Sequence, residues 1–514
     1  MSFRKHQERI SKQFTLNEAQ TRAFMIITDH INGDNHLKKD NKQDQLCVHE
    51  LRKLAPKSNA AAQIDGLTIH SFTSYRNLKT ISAAQRTTIE KARRHVRYII
   101  IDEMSMVDVY LLGQLDGLLT VAKHCSPSIL FGDINVIFFG DFIQYDPVGD
   151  QSLYSDIISD KTQKKKNIRE TRVATCASGR ALWEQINTVV KLEKQMRTID
   201  DHELLTTRII DPNHEVKSLD TDEWKKAPIL VFRNELRTEL SILATASEAF
   251  EKDVKPLVCI AQDEFKININ NPDFHKYLLE SLDNKTKWLP GYLPLVPGLH
   301  VLWTENIATE LKLCNGTTAV FRESVYEQAH NNLSNLDTTK FPIQSIYIPK
   351  PLYALVEIEN SRTDKLFDTL PPKLIPIPPV TQKFMLNIKG FLEKHKHELK
   401  QGGRKLKSHN LTIKRTQLPL APTYAMTTHK SQGQTMPKIV IDLVFPPRPS
   451  KPSVAQAYVP LSRVKELKHL VILRKFHIKN IQIQPNEEQL RELNRLDALE
   501  KEAKRGYELK SSIF

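Results

Sequence analysis

The sequence predicts an α/β protein with parallel sheets, arranged as two tandem units with a small β-rich insertion in the second. Three observations carry this. Apolar runs rich in β-branched residues end abruptly in polar clusters, Tyr98–Ile101 before Asp102-Glu103 and Val136–Phe139 before Gly140-Asp141. Such runs read as buried parallel strands, whose carboxyl tips are where ligands bind. The strand and helix alternation starts again near 227 and resumes near 413. Between 336 and 412 it gives way to short apolar strands, a proline cluster (P-P-K-L-I-P-I-P-P-V) and a basic stretch.

Composition bounds the function classes. A chain of 514 residues has room for two to four domains. With 40% hydrophobic and 26% charged residues it reads as soluble and globular. The net charge of +14 favours a polyanionic partner, usually nucleic acid, and is also compatible with a plain solubility feature. Cys47, Cys125, Cys176, Cys259 and Cys314 are scattered without a C-x-x-C pair, so reduced thiols are expected. The N-terminus has no apolar core of a signal peptide and no run of about eighteen apolar residues occurs, which argues against secretion and membrane spanning.

In chain order, polar and basic residues 1–13 predict a flexible arm. Thr15 or Asn17 can cap a helix carrying Ala23, Phe24, Ile26 and Ile27 at helical spacing. Gln20 falls in its first turns, where an amide can read an adenine edge or simply face solvent. Residues 31–46 read as a loop, 54–72 as a strand end, a helix start and a turn, and 83–95 as a basic helix. The strand ending at Asp102-Glu103 suits either a metal-holding and water-polarising pair or a solvated acidic turn. The second strand tip adds Gly140, Asp141 and Gln144, so two neighbouring tips point to one site.

Residues 161–173 read as a basic loop, and 181–198 as a helix and a strand reaching Arg197. Asn315-Gly316 predicts a hairpin turn. Buried strands are expected at Ile439–Leu443 and Leu470–Leu473. The tail from 486 carries Leu490, Leu493, Leu496 and Leu499, a stripe too short for a coiled coil and suited to docking.

From about residue 14 to 475 the ordered pieces resemble the superfamily-one 5′-to-3′ DNA helicases of the petite-integration-frequency (Pif) type, and are similar to their Helitron-transposon relatives. The resemblance implies two RecA-like, P-loop NTPase domains: 14–205, then 206–335 with 413–485, the insertion at 336–412 and a C-terminal helix over 486–514. In L-N-E-x-Q it puts Gln20 on the adenine. In T-I-H-S it puts Thr68, His70 and Ser71 on single-stranded DNA. Asp102, holding Mg²⁺, and Glu103, the catalytic acid, form the Walker B pair. Asp141 and Gln144 of G-D-x-x-Q sense the γ-phosphate, which Arg197 and Arg463 also face. In H-K-S-Q-G-x-T, His429, Lys430 and Ser431 meet DNA while Gly433 and Gln434 serve the nucleotide. ATP as substrate, Mg²⁺ as cofactor, single-stranded DNA and duplex junctions as partners, a monomeric state, a nuclear or mitochondrial setting and roles in DNA repair, recombination and telomere maintenance are further implications.

The sequence departs from that pattern at one place. The phosphate-binding run G-x-x-x-x-G-K-[ST] is absent, and the dipeptide Gly-Lys occurs nowhere. Lys57-Ser58 has no preceding glycines and aligns with the next motif. The expectation divides between an ATP-dependent helicase missing a segment and a catalytically dead remnant that binds single strands.

Overall fold

The computed structural model describes residues 3–36, 50–73, 82–156, 166–193, 208–210, 221–265, 272–306, 315–327, 340–342, 344–358, 370–394, 409–446 and 452–512. The chain forms two compact units, Met1–Asp201 with Ser450–Leu467 and Ile478–Phe514, and His202–Pro449 with Lys468–His477. The segment 450–467, expected in the second unit, thus clusters with the first. Its helix Val454–Leu461 packs Ala455 and Val459 against Tyr145. The C-terminal helix Glu487–Ser512 also belongs to the first unit.

The first unit begins with α1 (Phe3–Gln13) and α2 (Glu18–His36). A helix replaces the expected arm because its polar residues find partners: buried Gln7 donates through Nε2 to Thr28 Oγ1 and Asp29 Oδ1, each at 2.7 Å. Then follow β1 (Leu51–Ala55), α3 (Ser58–Gln63), β2 (Leu67–Thr68), α4 (Ile69–Thr73), α5 (Ala83–Arg93), β3 (Tyr98–Ile101), α6 (Val109–Lys123), β4 (Asn135–Phe138) and α7 (Lys166–Glu184). The four strands pair in parallel in the order β2-β1-β3-β4. The core between sheet and helices includes Ile99, Ile101, Leu112, Leu115, Leu119 and Trp183.

Part of the expected basic loop is helical instead. The chain from Lys166 joins the helix that buries Cys176, Leu182 and Trp183, and the apolar face downstream overrides the charge upstream. Residues 161–165 lie outside the described residues. The strand expected after this helix does not form among residues 187–193.

The second unit opens with β5 (Ile229–Val231) and α8 (Asn234–Glu251). A β-rich region follows, with β6 (Leu257–Ile260), β7 (Gln262–Phe265), β8 (Tyr292–Leu295), β9 (His300–Trp303), β10 (Thr318–Tyr326), β11 (Ile346–Ile348), β12 (Pro351–Glu357), β13 (Leu374–Ile377), β14 (Val380–Asn387), β15 (Asn410–Gln417) and β16 (Leu420–Pro422). These make the sheets β13-β12-β10-β9-β16, β11-β6-β8 and β14-β15-β7. The β-rich part is thus larger than 336–412, because strands before it pair with strands inside it. Asn315-Gly316 is a turn entering β10, Gly316 taking φ +99°. β17 (Ala425–Thr427), β18 (Ile439–Ile441) and β19 (Leu470–Ile472) join β5 in a parallel sheet of order β17-β5-β18-β19.

Candidate active site

The tips of β3 and β4 are in contact in the first unit. After β3 the chain turns at Glu103 in the left-handed region (φ 53°, ψ 48°), and Asp108 then caps α6 by accepting from Leu111 N at 2.7 Å. A non-glycine residue held there stores backbone strain, a common mark of a working site. Met104 N donates to Phe139 O at 2.9 Å, locking this turn to the end of β4. Gly140 makes the approach possible: it has φ +150°, and a Cβ on it would stand 2.7 Å from Met104 N.

Beyond Gly140, Asp141 Oδ1 accepts from Ile143 N at 2.9 Å and Gln144 N donates to Asp141 O at 3.1 Å. This turn holds the Gln144 side chain with Oε1 buried and without a hydrogen-bond partner among the described residues. Burial pushes the Asp102 carboxyl above the usual carboxylate range, partly offset by a backbone hydrogen bond from Glu103. No cation is paired with it among the described residues. A half-buried carboxylate without a counter-charge fits a divalent cation and its shell of water. Among the described residues no three His, Cys, Asp or Glu side chains gather as a metal cage, so such an ion would draw its other ligands from water and phosphate.

The remaining predicted residues of this unit divide. Asn17 caps α2: Gln20 N donates to Asn17 Oδ1 at 2.9 Å, and Asn17 N to Gln20 Oε1 at 3.0 Å. Reciprocal capping occupies the Gln20 carbonyl and leaves its NH₂ as the group for a ligand. Thr68 Oγ1 donates to Ser71 Oγ at 2.7 Å and accepts from Ser71 N at 3.0 Å, so this pair ties off the start of α4. His70 and Ser71 are exposed. Arg463 is almost fully buried, donating through Nε to Val459 O at 2.8 Å and through an Nη to Ser462 Oγ at 2.6 Å. Its helix rests on Tyr145, one residue past Gln144. Arg197 lies outside the described residues.

In the second unit the H-K-S-Q-G-x-T run forms the short helix Thr428–Ser431 at the tip of β17. His429 is exposed there, and Ser431 Oγ donates back to Thr428 O at 2.8 Å. Gln434 Nε2 donates to Lys430 O at 3.1 Å, and Gly433 makes the turn with φ +82°. Lys430 Nζ stands 4.2 Å from the centre of the Trp288 ring. Burial, and next the nearby Arg237 guanidinium, lower its pKa to about 8, against the raising pull of Asp283.

Sequence reasoning missed three supports. Trp288 is one; it and Lys287 take left-handed backbone (φ 63° and 56°), a strain the sequence does not advertise. Arg237 and Asp283 form a buried ion pair at 2.5 Å beside Lys430. In the first unit the C-terminal helix braces the G-D-x-x-Q turn, with Gln489 Nε2 donating to Phe142 O and Trp183 Nε1 donating to Glu492 Oε1 at 2.8 Å. The leucine stripe was the available signal, and Leu493 and Leu496 do pack on the core.

Comparison with known proteins agrees with this arrangement. A family model described as PIF1-like helicase matches residues 52–209. The ATP-dependent DNA helicase PIF1 of Saccharomyces cerevisiae is 24% identical over 471 residues, covering 80% of this chain and 53% of that protein. This chain spans about half the length of that relative and of the yeast helicase RRM3, at 53% and 57%. Uncharacterized protein 030L of Invertebrate iridescent virus 6 is 24% identical, covering 90% of this chain and 91% of its own length. Among solved structures, Bacteroides Pif1 bound to ssDNA superposes with a TM-score of 0.51 at 16% identity, over 96% of this chain and 97% of that one, a likeness of fold. Over residues 52–209 the chain is thus similar to the PIF1-like helicases, and its two α/β units with parallel sheets share the fold of the solved Pif1 structure.

Proposed function

We propose that this chain carries the motor fold of a 5′-to-3′ DNA helicase driven by Mg²⁺ and ATP, and that the 514-residue form, for want of a phosphate-binding loop, holds single-stranded DNA without turning ATP over. One observation supports the first half most: the tips of β3 and β4 are locked together at Met104 and Gly140, one carrying Asp102, a carboxylate short of a counter-charge, and the other leading to the buried, unsatisfied Gln144. Phosphoryl transfer is catalysed by positioning and charge stabilisation, and these are parts for it.

Each residue has a stated task. Asp102 would hold Mg²⁺, which when bound supplies charge to the phosphate oxygens. Glu103 orients the attacking water, and Asp141 and Gln144 report the γ-phosphate. Arg197 and Arg463 neutralise charge, their planar forks matching phosphate oxygens. His70, Ser71 and His429, exposed on their units, contact the DNA strand, and Lys430 supplies cationic charge. Gln20 takes the adenine through its NH₂.

The second half rests on the sequence. The absent loop would give charge-assisted hydrogen bonds to the β- and γ-phosphates. Two such bonds, at about 1.5–3 kcal/mol each, account for about two to four powers of ten in affinity. The relatedness to Helitron helicases and a nuclear location belong to the same proposal.

The test pairs two assays on the purified chain. Filter binding to an oligo-dT strand is expected to be salt-sensitive and unmoved by Mg-ATP. ATP turnover is expected at background with or without DNA. Turnover that Glu103→Gln abolishes would refute the second half, and absence of single-strand binding would refute the first.

A further inference from the structure

Three of the four tryptophans are core residues: Trp183, Trp224 and Trp303 are buried. Trp288, in the second unit, keeps part of its surface exposed. It is also held in an unusual way. Lys287 and Trp288 both take left-handed backbone, with φ 56° and 63°, a region that bulky side chains rarely adopt. Such strain persists only where the surroundings over-determine it, and it collects at functional sites and ligand clamps.

The surroundings do so here. Before the turn, Asp283 is ion-paired with buried Arg237 of α8, and its carbonyl accepts from Trp288 N at 2.7 Å. Fully buried Thr286 donates through Oγ1 to Leu289 O at 2.6 Å, and fully buried Arg415 donates to the same oxygen at 3.2 Å. Thr286 and Leu289 are thus anchored inside the unit, and the two residues between them are presented at its surface. Lys287 is exposed, as is Lys285. Lys430 Nζ lies over the Trp288 ring, 4.2 Å from its centre, and this cation holds the ring in one place. His429, on the same short helix as Lys430, is exposed.

We infer that the Trp288 indole is a stacking platform for one base of a single strand, with Lys285 and Lys287 on the flanking phosphates. An aromatic ring set among cations is the arrangement by which single strands are held: rings take the bases and cations track the backbone. The turn fixes the ring before the strand arrives, so little freedom is lost on binding. Every base has a π-face, so this contact tolerates any sequence. The inference rests on the single-strand binding proposed above and adds to it a contact that reads bases, where the cations read phosphates.

The test compares two strands of equal length, oligo-dT and a strand of abasic sugar-phosphate, on the native chain, Trp288→Leu and Trp288→Phe. The quantity read is the ratio of the two affinities within each protein, which a partly unfolded sample does not shift. The native chain is expected to favour oligo-dT by about tenfold or more, and Trp288→Leu to lower that ratio about tenfold. Trp288→Phe, which keeps a ring, should retain most of the preference. The salt dependence of oligo-dT binding should be the same in all three proteins, since no phosphate contact is removed. A ratio unchanged in Trp288→Leu overturns the inference, as does a native chain without preference. A loss in Trp288→Phe as large as in Trp288→Leu would give the indole a structural task and overturn it too. A native chain that binds neither strand refutes the single-strand reading itself. A native preference untouched by Trp288→Leu refutes the stacking alone.

Discussion

Raising the pH should stabilise the second unit through Lys430. Its pKa falls from an ordinary 10.5 to about 8, chiefly because burial disfavours the ammonium. Between about pH 8 and 10.5 the unfolded chain therefore binds a proton there that the folded chain does not. Stability rises with pH wherever the unfolded state holds more protons, so the gain starts near pH 8 and is complete near 10.5. A shift of this size corresponds to about 3 kcal/mol at 1.36 kcal/mol per unit. The assay is urea unfolding at pH 7, 8, 9 and 10, followed by tryptophan fluorescence, on the native chain and on Lys430→Met. The native chain should gain about 2 kcal/mol over the variant between pH 7 and 10, and at pH 7 the variant should be the more stable of the two. Parallel pH profiles for the two proteins would refute the account, since a lysine freely hydrated in the folded state contributes no slope in this window.

Other expectations follow from the same geometry. Single-strand binding should weaken as pH rises through 8, when Lys430 loses its charge, and Lys430→Met should flatten that fall in a filter-binding titration. Gly140→Ala places a Cβ 2.7 Å from Met104 N at φ +150° and should cost about 1–3 kcal/mol, read as a lower urea midpoint. Glu492→Ala leaves the buried Trp183 indole N–H without its acceptor and should cost about 1–3 kcal/mol, with a smaller loss in Glu492→Gln.

The meeting of the β3 and β4 tips was legible because strand tips announce themselves. A β-branched run ending in Asp102-Glu103, and another ending in Gly140-Asp141, needed only the period of a strand and the rule that ligands gather at carboxyl edges. What sequence could not carry was pairing at a distance. The β-rich part, expected at 336–412, extends back to β6 and β7 because an apolar run does not say which distant strand it will pair with. The N-terminal arm became a helix because Gln7 finds Thr28 and Asp29, a contact no local pattern encodes. Residues 450–467 clustered with the first unit through Ala455 and Val459 on Tyr145. Trp288 stayed hidden because a lone tryptophan far from any motif carries no signal until Lys430 is seen against its ring.

A helicase motor fold without its phosphate-binding loop should hold a DNA strand and leave ATP intact. ATP turnover by the purified 514-residue chain, measured with saturating single-stranded DNA and Mg²⁺ in the same sample that shows DNA binding, tests it most directly. Strand binding with turnover at background, unchanged in Glu103→Gln, is the predicted result. DNA-stimulated turnover that disappears in Glu103→Gln would contradict it.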